Sequence, residues 1–101
     1  MGHSIHRVIS FELLDSYVLS VHFEDGTSQT IDFQPVLKGE LFGPLSNPIV
    51  FQKVSIDKEI HTLVWPNGAD FDPETLHDWP THEPSLKEMA SRWESALAEN
   101  T

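Results

Sequence analysis

Tyr17-Val18-Leu19-Ser20-Val21-His22-Phe23-Glu24-Asp25-Gly26 is the stretch that decides the fold. Tyr17, Leu19, Val21 and Phe23 alternate with Val18, Ser20, His22 and Glu24, the period of two that marks a strand with one buried face. Asp25-Gly26 follows, a dipeptide suited to the positive φ angles of a tight hairpin turn. A return strand over residues 28–33 brings Ile31 and Phe33 inward. The Asp25-Gly26 turn fixes the register, and a slip of one residue would expose Tyr17, Leu19, Val21 and Phe23 together.

Upstream of this hairpin, Ile5, Val8, Ile9 and Phe11 predict a first strand over residues 5–11, closed by a turn at Asp15-Ser16. Downstream, Pro35 has no N–H to give a sheet and predicts a short helical turn over residues 35–39. Gly39 and Gly43 bracket a loop, and residues 44–51 fit one or two helical turns with Leu45, Val50 and Phe51 inward. Val54 and Ile56 open a fourth strand, Asp57-Lys58-Glu59 turns the chain, and residues 60–65 form a fifth. This last pair is expected to extend the sheet of the central hairpin. Strands outnumber helices and no βαβ rhythm occurs. The fold class is therefore α+β: a small antiparallel β-sheet with short helices and a C-terminal amphipathic helix.

Pro66-Asn67-Gly68 ends the sheet, and Asp72-Pro73 starts a brief helix with Asp72 as N-cap. Two prolines make residues 78–84 read as an irregular connector. The last helix covers residues 84–99, with Ser85 and Glu88 at capping-box spacing. Its stripe of Leu86, Met89, Ala90, Trp93 and Leu97 recurs at intervals of three and four. Residues 1–78 thus read as one domain. Residues 79–101 add a connector and a helix that either covers the same core or meets a second copy. A homodimer is the expected state, because a small domain gains buried area by pairing and Trp93 is a fitting anchor.

The chain of 101 residues has room for one core. Its net charge of −10 repels nucleic-acid phosphates and anionic lipid and favours a basic partner. With no cysteine, disulfides, iron–sulfur clusters and zinc–thiolate sites are excluded. No apolar run resembles a signal peptide or a membrane span, so a cytoplasmic location is expected.

One further pattern runs through the chain. Tyr17-x-Leu19-x-Val21-x-Phe23-x-Asp25-Gly26, Asp32-Phe33-x-Pro35, Gly43-Pro44-Leu45 and Phe51-x-x-Val54-x-Ile56-Asp57 come in that order. They lead to Trp65-Pro66-Asn67-Gly68-Ala69-Asp70-Phe71-Asp72-Pro73-Glu74-Thr75-Leu76. Over about residues 5–78 this order resembles domain-of-unknown-function family 2442 (DUF2442), with the Trp-Pro-Asn-Gly-Ala-Asp block as its signature. The resemblance implies a small bacterial α+β fold, often encoded beside small toxin-like proteins and sometimes carrying a helix-turn-helix. It implies no catalytic residues. The single helix after Asp78 is too short for a helix-turn-helix, so DNA binding is not inherited.

Candidate site residues concentrate in the same block. Trp65, Asn67, Asp70 and Asp72 are candidates for contact with a ligand or partner, although a Trp at a strand end also fits a core role. Asp70, Asp72, Glu74 and His77 are spaced carboxylates with one imidazole, a set able to hold a hard divalent cation or Mn²⁺. Helix capping accounts for the same acids without a metal: Asp72 caps, Glu74 suits the helix dipole and Asp70 accepts bonds in the turn. Six histidines, at 3, 6, 22, 61, 77 and 82, lack the i, i+4 spacing of a metalloprotease helix. His22 and His61 fall in predicted strands and could pair across the sheet. No nucleophile elbow or phosphate-cradling glycine loop occurs, so no catalytic residue and no cofactor is assigned. Two functions follow. One is a non-catalytic interaction module, an antitoxin-like partner of a small basic protein. The other is a small-ligand or divalent-metal enzyme centred on Asp70, Asp72 and His77.

Overall fold

The computed structural model describes residues 6–99, with side chains through residue 93. Strands β1 (Val8–Asp15), β2 (Val18–Phe23) and β3 (Ser28–Asp32) form an antiparallel sheet in the order β1-β2-β3. The β2–β3 register pairs Leu19 with Ile31 and Val21 with Gln29. Leu19, Val21, Phe23 and Ile31 are buried, as the alternation requires. β1 starts later than the sequence suggests and runs on through Leu13 and Leu14, and Ile5 lies outside the described residues. Its pairing with β2 slips by one residue at Ile9 and again at Leu14, so each is a bulge.

Between the sheet and the next strands lie four short helical turns. A 3₁₀ turn at Gln34–Val36 meets the expectation around Pro35. The loop expected between Gly39 and Gly43 is instead a helical turn, α1 (Gly39–Phe42). Packing of Phe42 overrides the glycines here, since its ring stacks on Phe71 at 4.8 Å and on Trp93 at 5.9 Å. A second 3₁₀ turn, Gly43–Ser46, leads to α2 (Pro48–Phe51), where Asn47 caps the N-terminus by accepting from the Ile49 N–H at 2.9 Å.

β4 (Ser55–Ile56) and β5 (Leu63–Val64) are shorter than expected and form a separate two-stranded sheet rather than an extension of the first. Their loop consumes the missing length: Asp57 Oδ1 accepts from the N–H groups of Glu59 and Ile60, and His61 takes φ 54°. One bond, Val8 N–H to the His61 carbonyl at 2.9 Å, joins this hairpin to β1. His61 is therefore a loop residue, and it does not pair with His22, which lies opposite Ser10 and Ser28.

α3 (Pro73–His77) begins as the sequence indicates, with Asp72 Oδ1 accepting from the Glu74 N–H at 2.8 Å. The connector expected after it does not exist. α4 (Trp79–Glu99) starts at once, with Asp78 supplying its carbonyl to Thr81 and His82. Trp79 is buried and its ring lies 5.2 Å from Phe33, so core packing sets where the helix begins. Pro80 falls in the first turn, where an N–H has no helical partner to lose, and Pro84 forgoes one bond on an exposed face. Ser85 and Glu88 accordingly lie inside the helix and form no capping box.

Phe33 stands at the centre of the core, with the rings of Phe51, Trp65, Phe71 and Trp79 between 5.2 and 6.0 Å away. Within the helical stripe, Ala90 is buried, Leu86 packs against the core and Trp93 stacks on Phe42. These contacts place the helix on its own domain. Met89 remains 40% exposed, and the Leu97 side chain lies outside the described residues.

Candidate functional site

In the Trp65–Asp72 block Trp65, Ala69 and Phe71 are buried, and Pro66, Asn67, Gly68, Asp70 and Asp72 are exposed. Trp65 is buried and its Nε1–H donates to the Phe51 carbonyl at 2.9 Å. The loop Pro66-Asn67-Gly68 is closed by bonds from Trp65 N–H to the Ala69 carbonyl and from Gly68 N–H to the Trp65 carbonyl, both 2.9 Å. Gly68 has φ 88°, which favours a residue without Cβ. Asn67 accepts from the Ala69 N–H and donates to the Leu41 carbonyl at 2.9 Å. Asp70 is exposed and bridges to Val64, and Asp72 is the α3 cap. These contacts fasten the loop to α1 and the core.

Side chains converge elsewhere, where the β2–β3 loop meets α3 and the segment before β1. Glu24-Asp25-Gly26 forms the loop, with Phe23 N–H bonded to the Thr27 carbonyl and Gly26 at φ 89°. Asp25 Oδ1 accepts from both the N–H and the hydroxyl of Thr27, at 3.0 and 2.6 Å. Its Oδ2 is left to face two imidazoles. His77 Nε2 lies 2.8 Å from it and His6 Nε2 lies 3.7 Å from it. The two rings stack at 3.5 Å and 18° from parallel. Both Nδ1 atoms meet other carboxylates: His6 bonds Glu74, and His77 bonds Asp78 at 3.0 Å. The ring of His77 rests edge-on against Phe23, and Gln29 Nε2 donates to its carbonyl. Both imidazoles are largely covered and Asp25 is 40% exposed.

The electrostatics follow from these bonds. Thr27, through its hydroxyl and then its N–H, holds the Asp25 carboxyl well below the usual carboxylate range, and His77 adds to the effect. Partial burial pulls against protonation of His77. Its hydrogen bonds to Asp78 and Asp25, and their charges, outweigh that and raise its pKa. A proton on each nitrogen satisfies both carboxylates at once.

Of the expected metal-ligating residues, Glu74 and His77 come to this cluster, whereas Asp70 and Asp72 do not. His6 and Asp25 were missed. Asp25 carries the sequence signal of a turn former, and no spacing rule sets residue 6 against residue 77. Among the described residues, His6, Asp25 and His77 are the group whose donor atoms, all within 4.8 Å of one another, suit a metal ion.

A second exposed feature is β1. Beyond Val8 its backbone pairs with β2 alone among the described residues. Ile9, Leu13 and Leu14 are 57%, 46% and 54% exposed, and the last two border a shallow hollow with Pro48 and Gln52. Glu12 and Asp15 flank them. Among the described residues no helix is long and apolar enough to cross a membrane.

The family model described as "Protein of unknown function (DUF2442)" matches residues 8–82. The matched span takes in all five strands, α3 and the start of α4. No curated protein and no solved structure matches the chain.

Proposed function

We propose, from the premise that this chain belongs to the DUF2442 family, that it is a non-catalytic interaction module that binds a small basic protein along β1. The observation that carries this is the row of exposed apolar side chains, Ile9, Leu13 and Leu14, on an edge strand set in a strongly acidic chain. A flat edge would recruit strands indiscriminately. The bulges at Ile9 and Leu14 break that template and leave apolar side chains, with Glu12 and Asp15 between and beside them, as what a partner meets. Apolar contact supplies affinity, and the carboxylates select a basic surface and speed its approach. The reading is that of a cytoplasmic, antitoxin-like partner of a toxin-like protein encoded nearby.

Co-purification from native lysate with wild type and with a Leu13→Lys/Leu14→Lys variant tests it. A basic protein held by wild type, released by the variant and weakened by salt supports the reading. Retention by the variant overturns it.

A further inference from the structure

We propose that His6, Asp25 and His77 form a binding site for one divalent transition-metal ion, Zn²⁺ by preference. The inference goes beyond partner docking, which lies on β1, and it stands on the geometry of the cluster. In each imidazole Nδ1 is engaged by a carboxylate, Glu74 for His6 and Asp78 for His77, and Nε2 is turned toward the same oxygen of Asp25. Outer carboxylates on Nδ1 are how proteins orient imidazoles whose Nε2 ligates a metal. Here the arrangement is present twice, on neighbouring rings.

The distances fit one ion. A tetrahedral Zn²⁺ with bonds of about 2.0–2.1 Å holds adjacent donors about 3.3 Å apart. The Nε2–Oδ2 distances of 2.8 and 3.7 Å bracket that separation, and all three donors lie within 4.8 Å. The rings stack at 3.5 Å and 18° from parallel, so their Nε2 lone pairs run side by side, and one ring turns about its side-chain torsions for both nitrogens to meet one ion. The metal takes the place that the Nε2 proton holds between His77 and Asp25. Two nitrogens and one carboxylate suit Zn²⁺ and not Mg²⁺ or Ca²⁺, which take oxygen shells. Three protein donors leave a fourth position, on the solvent side where Asp25 is 40% exposed.

The test is titration of the tag-free full chain with ZnCl₂, followed by calorimetry and by the ¹⁵N resonances of the imidazoles. The expected result is one equivalent bound, with the Nε2 signals of His6 and His77 moved and Mg²⁺ without effect. His6→Ala and His77→Ala each weaken binding by at least about 100-fold, and Glu74→Gln or Asp78→Asn by about 10–100-fold. His3→Ala, His22→Ala and His61→Ala leave it unchanged. If His77→Ala fails to fold, the wild-type resonances decide. No stoichiometric binding, coordination at other nitrogens, or loss of binding in His3→Ala overturns the site.

Discussion

The loops Glu24-Asp25-Gly26 and Pro66-Asn67-Gly68 have one backbone plan and opposite destinies. In each, the residue before the loop is a buried aromatic, Phe23 or Trp65, whose N–H reaches the carbonyl of the residue after it. Each ends on a glycine at φ near 89°. In each, the middle residue spends Oδ1 on a backbone N–H two positions on, Asp25 to Thr27 and Asn67 to Ala69. They part at the other atom of the side chain. Asn67 has an amide, which donates to the Leu41 carbonyl and fastens the loop to α1. Asp25 has a second oxygen, which faces His6 and His77. One atom therefore separates a loop that holds the fold from a loop that can hold something else.

Substitutions in matched positions sharpen or break the comparison. The largest effects belong to the roots. Phe23→Ala and Trp65→Ala should each cost about 3–5 kcal/mol in denaturant unfolding, because both truncate fully packed rings. A cost under about 1 kcal/mol for either would show that its loop is not rooted in the core. Gly26→Ala and Gly68→Ala come next. Neither added Cβ meets an atom within 4 Å, so backbone conformation alone sets a penalty of about 1–2 kcal/mol, equal in the two loops. Unequal penalties would break the shared plan.

The exchange Asn67→Asp removes the donor to Leu41 and should cost about 1 kcal/mol. Asp25→Asn keeps the turn acceptor but gives up the charge that faces His77. Its cost should therefore shrink as pH rises through the raised His77 value, whereas that of Asn67→Asp should not, and its Zn²⁺ binding should be lost. The same stability cost at every pH would mean the two side chains do the same work. The smallest effect is a pH dependence, read as a melting midpoint in chelator. The His77 pKa is raised, so its contribution is full below the ordinary histidine range and fades as pH climbs through the raised value. Asp25 is lowered, so its contribution is full above the ordinary carboxylate range and fades only in strong acid. The midpoint should fall above neutral pH in wild type and stay flatter in His77→Gln.

The same contrast explains what could be read in the sequence. The β2–β3 hairpin, the Asp72 cap and the start of α3 are local patterns, and all three were legible. Tertiary packing erased other local signals: Phe42 made a helix of a glycine-bracketed loop, and Trp79 began α4 ahead of two prolines. In the Trp65 block the polar residues are adjacent in sequence: Asn67 braces the turn, Asp72 caps α3 and Asp70 is exposed. His6, Asp25 and His77 are far apart along the chain and carry no shared motif. Only the sheet and α3 together bring them to one place.

That separation has a consequence for when the cluster can exist. His6 and Glu74 are 68 positions apart, so their contact encloses most of the chain. Drawing the ends of such a loop together costs about 4 kcal/mol of chain entropy, and contacts of this span form after local ones have made them affordable. A nascent hairpin presents Asp25 alone; the two imidazoles arrive when the circuit is complete. Whatever binds the cluster therefore recognises the finished chain and none of its precursors, and by mass action it holds the chain in that finished state.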